Sequence, residues 1–118
     1  MLKRHLNSYR YALNGIVDLF RSEVNARIHI AATLVVVAAG FYFQVSDLEW
    51  VALTLCIVSV IALEAVNTAI EYLTNLVSPD YHPLAGKTKD MAAGAVLIAA
   101  IGSIVIALIV FLPKMNIL

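Results

Sequence analysis

Charge is scarce in this chain. Only 14% of its residues are charged, and 8 Lys plus Arg balance 8 Asp plus Glu. A net charge of zero gives no basic surface of the kind that grips nucleic acid, so no nucleic-acid partner is expected. Cysteine is nearly missing: Cys56 stands alone inside an apolar run, which excludes a disulfide framework and reads as a small core residue. The three histidines have no metal-ligand spacing with it, so no zinc site is expected. Proline and glycine are too few, at 3 and 5, for low-complexity or collagen-like segments. "MLKRHLNSYRYALNG" lacks a short apolar core followed by a small-residue cleavage site, so no signal peptide is expected. A glycine-rich phosphate loop is missing as well. "GKT" at 86–88 resembles the end of one, but the position that needs the first glycine is Tyr81, and a helix rather than a strand precedes it.

Apolar residues, by contrast, make up 62% of the 118, with a mean hydropathy of +0.89. That exceeds what a soluble domain of this size carries and predicts one small, all-α integral membrane domain. Three stretches approach the roughly 20 residues that a spanning helix needs: Ile28 to Phe43, Trp50 to about residue 70, and Met91 to Leu112. The first is short, extended by Arg27 and His29 snorkelling at one end and by Tyr42 and Phe43 at the other. "QVSDLEW" and "SPDYHPLAGKTKD" read as the connections, the second as a loop from Ser78 to Asp90 with Thr88 or Asp90 capping the third span.

Ahead of the first span, over about residues 3–22, Leu6, Tyr9, Leu13, Ile16, Val17 and Phe20 recur at helical spacing. Lys3, Asn7, Arg10, Asn14, Asp18 and Arg21 form the opposite stripe. This predicts an amphipathic surface helix suited to anionic headgroups. Lys and Arg are concentrated before the first span and at Lys87 and Lys89, and are missing from "QVSDLE". The N-terminus and second loop are therefore expected on the cytoplasmic side, with the C-terminus outside.

"EAVNTAIE", residues 64–71, is the anomaly, because it places two carboxylates and an amide on a membrane helix. Spacings of three and four put Glu64, Asn67 and Glu71 on one stripe. With Trp50 at the outer interface, a rise of ~1.5 Å per residue puts Glu64 about 21 Å along the helix and Glu71 about 31 Å. Glu71 thus reaches the inner headgroups, while Glu64 lies one to two turns inside. A bare carboxylate at that depth costs at least ~2.5 kcal/mol, so Glu64 should be neutral, paired or in a wet cleft. Three readings meet these residues: polar glue between helices, proton-coupled transport, and an enzyme site using the Asp80, His82, Gly86, Lys89 and Asp90 of the second loop. Paired interface carboxylates suit Mg²⁺ with substrate phosphates better than a softer metal.

The run "EAVNTAIEYLTNLVSPDYHPLAGKTKDMAAGAVL", with "SEVNARIHI" upstream, resembles the small prokaryotic diacylglycerol kinase and undecaprenol kinase family over nearly the whole chain. The resemblance implies an ATP-dependent lipid kinase working as a homotrimer with active sites shared between protomers. It makes Glu64 the general base, supported by Asn67, and gives Glu23 and Glu71 the Mg²⁺ of the nucleotide. Lys89 would contact the transferring phosphate. Arg4, Tyr11, Asp80, Tyr81, His82 and Asp90 would contact the nucleotide, with Gly86 allowing close approach. Diacylglycerol-using relatives carry a hydroxyl residue soon after the Lys-Asp pair, where this chain has Ala92 and Ala93. That departure favours undecaprenol as the membrane alcohol over diacylglycerol. A small transporter and a non-catalytic assembly protein remain the alternatives from other classes. Small residues at Ala95, Ala99, Ser103 and Ala107 would permit close helix approach in lipid. Three helices also offer little interior in which to hide Glu64, so a neighbour's surface helix is expected to complete the site.

Overall fold

A computed structural model describes residues 1–116 and is helical nearly throughout. Four helices follow in order: α1 (Leu2–Ser22), α2 (Val24–Tyr42), α3 (Asp47–Val77) and α4 (Pro83–Phe111), with a closing 3₁₀ turn, Leu112–Met115. The last three are long and apolar enough to cross a membrane.

The helices begin and end where local chemistry allows. Between α1 and α2 only Glu23 leaves helical geometry (φ −108°, ψ 117°), closing α1 through its N–H to Leu19 O (3.0 Å) and opening α2 with its carbonyl. Asn25, Ala26 and Arg27, expected ahead of the first span, are therefore already helical. At the other end of α2, Gln44 takes a left-handed conformation (φ 53°). Its N–H bonds Phe41 O and that of Val45 bonds Gly40 O, the paired closure of a Schellman motif. Ser46 then starts α3 with a reciprocal capping box: its Oγ accepts from Glu49 N and its N–H donates to Glu49 Oε1.

One expectation is corrected. The segment 83–90 is not a loop but the first two turns of α4. Pro83 occupies the first helical position, where its missing N–H is no loss and its fixed φ suits a helix. His82 is the cap, its Nδ1 accepting from Leu84 N (3.1 Å). Thr88, expected as a cap, instead donates back to Leu84 O within the helix (2.8 Å).

α3 and α4 pack over the longest stretch. The main apolar cluster lies at one end, where Val45, Leu53 and Val110 are buried against Val36, Phe43, Trp50, Ile106 and Phe111. Gly40 is needed there, because a Cβ would stand 2.8 Å from Trp50 Cζ2. Lys114 ties the same end, donating to Glu49 Oε2 (2.8 Å). The small-residue stripe of α4 is half-buried within the chain, and its Ser103 and Ala107 face α3. Its close approach is thus used inside the protomer. Elsewhere the helices leave broad apolar faces uncovered, including Leu34, Val35, Leu55, Val58, Ile98 and Ile104. Such faces are at home in lipid or against another chain.

Candidate active site

The polar residues of the spans gather at the end opposite that apolar cluster. Glu64 is buried at 2% exposure, and Asn67 and Thr68 beside it on α3 are buried as well. Among the described residues the chain alone achieves this, so no neighbour is required to hide Glu64. What the carboxylate meets is His29 of α2, whose Nε2 lies 3.5 Å from Glu64 Oε2. Its other oxygen, Oε1, is buried without a hydrogen-bond partner among the described residues. A buried carboxylate oxygen left unpaired is costly, so its retention marks a place where a donor is awaited.

One turn on, Asn67 Nδ2 donates to Glu71 Oε1 (3.3 Å), while Asn67 Oδ1 is buried and unpartnered. Helical spacing thus forms a polar line of Glu64, Asn67 and Glu71. α3 is about 46 Å long by its rise per residue and exceeds the about 30 Å of hydrocarbon. It therefore extends past such a layer at one end or both.

Glu23, half-buried at the α1–α2 junction, faces the same place. Burial pushes its carboxyl above the ordinary glutamate range, and the charges of Glu71, Glu64 and Asp18 push it further. Four acids therefore share one region, and the ion pairs among the described residues are His29–Glu64 and, far away, Lys114–Glu49. That excess of negative charge calls for a cation. Among the described residues no group of three or more His, Cys, Asp or Glu side chains could hold a metal on protein ligands alone. Mg²⁺ needs less, since one or two carboxylates suffice when phosphate oxygens and waters complete the octahedron. Glu23 and Glu71 fit that requirement.

The remaining expected residues divide into two groups. Lys89 is held beside α3, its Nζ donating to Asn75 Oδ1 at 2.5 Å. His82 is engaged as the α4 cap, and Asp80 accepts through its backbone carbonyl from Ser78 Oγ (2.9 Å). Gly86 lies in the first turn of α4 with open space around it. Arg4, Tyr11, Tyr81, Asp90 and Ala93 are exposed, and among the described residues no side-chain hydrogen bond or ion pair joins the first four to the site.

His29 was missed as a site residue by sequence reasoning, which saw in it only a snorkelling end. The signal was depth: counted from the start of its helix, His29 lies at a level that a basic side chain on a neighbouring helix would need to meet Glu64. His29 also lines an apolar cleft of about 250 Å³ between α2, α3 and α4, together with Thr33, Cys56, Ile61 and Ser103. A second cleft, about 340 Å³, separates α1 from α3 beside Asp18 and Tyr72.

Comparison with known proteins bears on what this arrangement does. Residues 10–111 match the family model described as prokaryotic diacylglycerol kinase. An undecaprenol kinase of Bacillus subtilis (strain 168) is 41% identical over 114 residues, covering 97% of this chain and 93% of that protein. A diacylglycerol kinase of Synechocystis is 38% identical, covering 93% of this chain but 63% of its own length. One from Pseudomonas aeruginosa is 34% identical over 83% of this chain and 80% of its own. Membership of a kinase family sets aside the transporter and assembly-protein readings, and the chain belongs to the prokaryotic diacylglycerol kinase family of lipid kinases.

Proposed function

We propose that the protein transfers the γ-phosphoryl group of ATP to the primary hydroxyl of undecaprenol, giving undecaprenyl phosphate. The observation that carries the reading is the buried, unpartnered Oε1 of Glu64, set two helical turns from Glu71 on one stripe of α3. In this reading the lipid lies with its tail along the apolar helices and its hydroxyl at Glu64. Glu64 Oε1 accepts the hydroxyl proton as the alcohol oxygen bonds to the γ-phosphorus and the bond from that phosphorus to the bridging oxygen breaks, releasing ADP. Asn67, anchored on Glu71, keeps the stripe in register. Glu23 and Glu71 hold Mg²⁺, which supplies charge compensation to the nucleotide phosphates. Lys89, released from Asn75, meets the transferring phosphate.

Arg4, Tyr11, Asp80, Tyr81, His82, Gly86 and Asp90 are assigned to the nucleotide. The distance in sequence and the exposure of Arg4 and Tyr11 support their reaching a neighbouring protomer's site, in a homotrimer with shared sites. α1 serves as an amphipathic surface helix, its Leu6, Tyr9, Leu13 and Ile16 uncovered in the single chain and available to the headgroup layer. The Lys and Arg distribution supports an inner-membrane orientation with the N-terminus and the α3–α4 connection cytoplasmic.

Undecaprenol is preferred over diacylglycerol because Ala92 and Ala93 offer no hydroxyl to a glycerol backbone, and because the Bacillus relative is an undecaprenol kinase. The test is a side-by-side assay with both alcohols at matched surface concentration. Apolar tails discriminate weakly, so phosphorylation of both with a higher kcat/KM for undecaprenol is expected. A preference for diacylglycerol would overturn the substrate and leave the chemistry standing.

A further inference from the structure

The two oxygens of Glu64 are not equivalent. Oε2 faces His29 Nε2 at 3.5 Å, whereas Oε1 is buried and faces no donor among the described residues. His29 is itself about four-fifths buried, with side-chain exposure of 21%. Its helix is fixed locally, since Thr33, one turn on, returns its hydroxyl to His29 O at 2.7 Å. The imidazole therefore stands between two environments. One side borders the apolar cleft of Thr33, Cys56, Val60 and Ile61, and the other meets the carboxylate.

From this we infer that His29 is a positioning residue for Glu64: its Nε2–H holds Oε2, turns Oε1 toward the substrate hydroxyl, and does so without touching the nucleotide. A carboxylate on a three-torsion side chain has many orientations, and a base misplaced by 1 Å can lose about 10²-fold in rate. Hydrogen bonds of this kind are commonly long before substrate arrives and shorten in the reacting complex. No Lys or Arg is ion-paired to Glu64 among the described residues, so His29 is the donor that gives the buried carboxylate an orientation. The imidazole also borders the cleft, so a lipid tail lying there would touch His29 beside the base.

This inference rests on the proposed lipid kinase activity, and its test separates the two. His29→Leu keeps an apolar lining but offers no donor. We expect kcat to fall about 10- to 100-fold, with KM for the lipid and for MgATP within about threefold of the unmodified protein. His29→Gln restores an N–H donor at similar reach and should recover kcat to within about fivefold. In a Glu64→Gln background, His29→Leu should cost little more, because the group it orients is already disabled. Unchanged kcat in His29→Leu would overturn the assignment. So would an undiminished further loss in the Glu64→Gln background. Failure of both His29 variants to bind MgATP would replace positioning with a purely structural role. Lack of turnover by the unmodified protein on either alcohol would instead sink the substrate reading beneath it.

Discussion

Tyr72 donates its hydroxyl to Asp18 Oδ2 at 2.8 Å, fastening α1 to α3 across 54 positions of sequence. Ser22 Oγ lies 3.4 Å from the same hydroxyl, and Leu19 is buried beside them. Glu23 follows directly, so this clasp fixes where α1 delivers its carboxylate. Tyr72→Phe removes the bond at an exposed position, and a loss of about 1 kcal/mol is expected. Hydrogen exchange should quicken in the last turns of α1 and KM for MgATP should rise a few-fold. Unaltered exchange there would assign the docking to Leu19 alone.

Glu64→Gln preserves shape and hydrogen bonding but cannot take a proton. Turnover should drop by ~10² to 10⁴ while MgATP affinity barely changes. Because a buried acid is exchanged for an amide, the folded chain should be no less stable. Near-normal turnover would make Glu64 a structural polar contact, and lost ATP binding would move it to the metal group.

Glu23 gives a pH dependence with a definite sign. Burial and the charges of Glu71, Glu64 and Asp18 raise its carboxyl above the ordinary range, so the folded chain holds this proton more tightly than the unfolded one. Its contribution to stability is whole at low pH and is lost as pH rises through the raised value. Without Mg²⁺, thermal unfolding of the detergent-solubilised protein should show this decline from about pH 4.3 upward. Glu23→Gln should flatten it, and Mg²⁺-ATP should reverse it. Glu71→Gln should share the loss of Mg²⁺-dependent turnover. A profile unmoved by Glu23→Gln would remove Glu23 from the acidic group.

Gly40→Ala places a methyl against the only tryptophan, Trp50, at 2.8 Å from its Cζ2. Overpacking of this kind costs about 1–3 kcal/mol, and Trp50 emission should shift as the ring is displaced. An unchanged spectrum and melting temperature would mean that the indole finds room by a small rotation.

The apolar runs made the spanning helices legible because hydropathy needs no tertiary context, and the stripe of Glu64, Asn67 and Glu71 followed from helical spacing alone. Two features resisted. "PLAGKTKD" carries the composition of a loop, yet Pro83 is a helix starter once His82 caps it, and composition cannot distinguish the two roles. His29 could not be paired with Glu64 from sequence, because which helix faces which is decided by packing rather than by periodicity within either one. The burial of Glu64 inside a single chain escaped for the same reason.

The Ser46–Glu49 capping box, the Lys114–Glu49 bond and the ring contacts of Phe41 with Trp50 and of Phe43 with Phe111 all stand at one end of the molecule. The far end holds mutually repelling acids. The three spanning helices therefore resemble a clothes-peg, gripped by packed apolar side chains at one end and by polar contacts, Lys89 with Asn75 and His29 with Glu64, at the other. On the proposed reading, a lipid alcohol meets the polar end of this grip, where hydrogen bonds and charge hold the helices rather than packed rings.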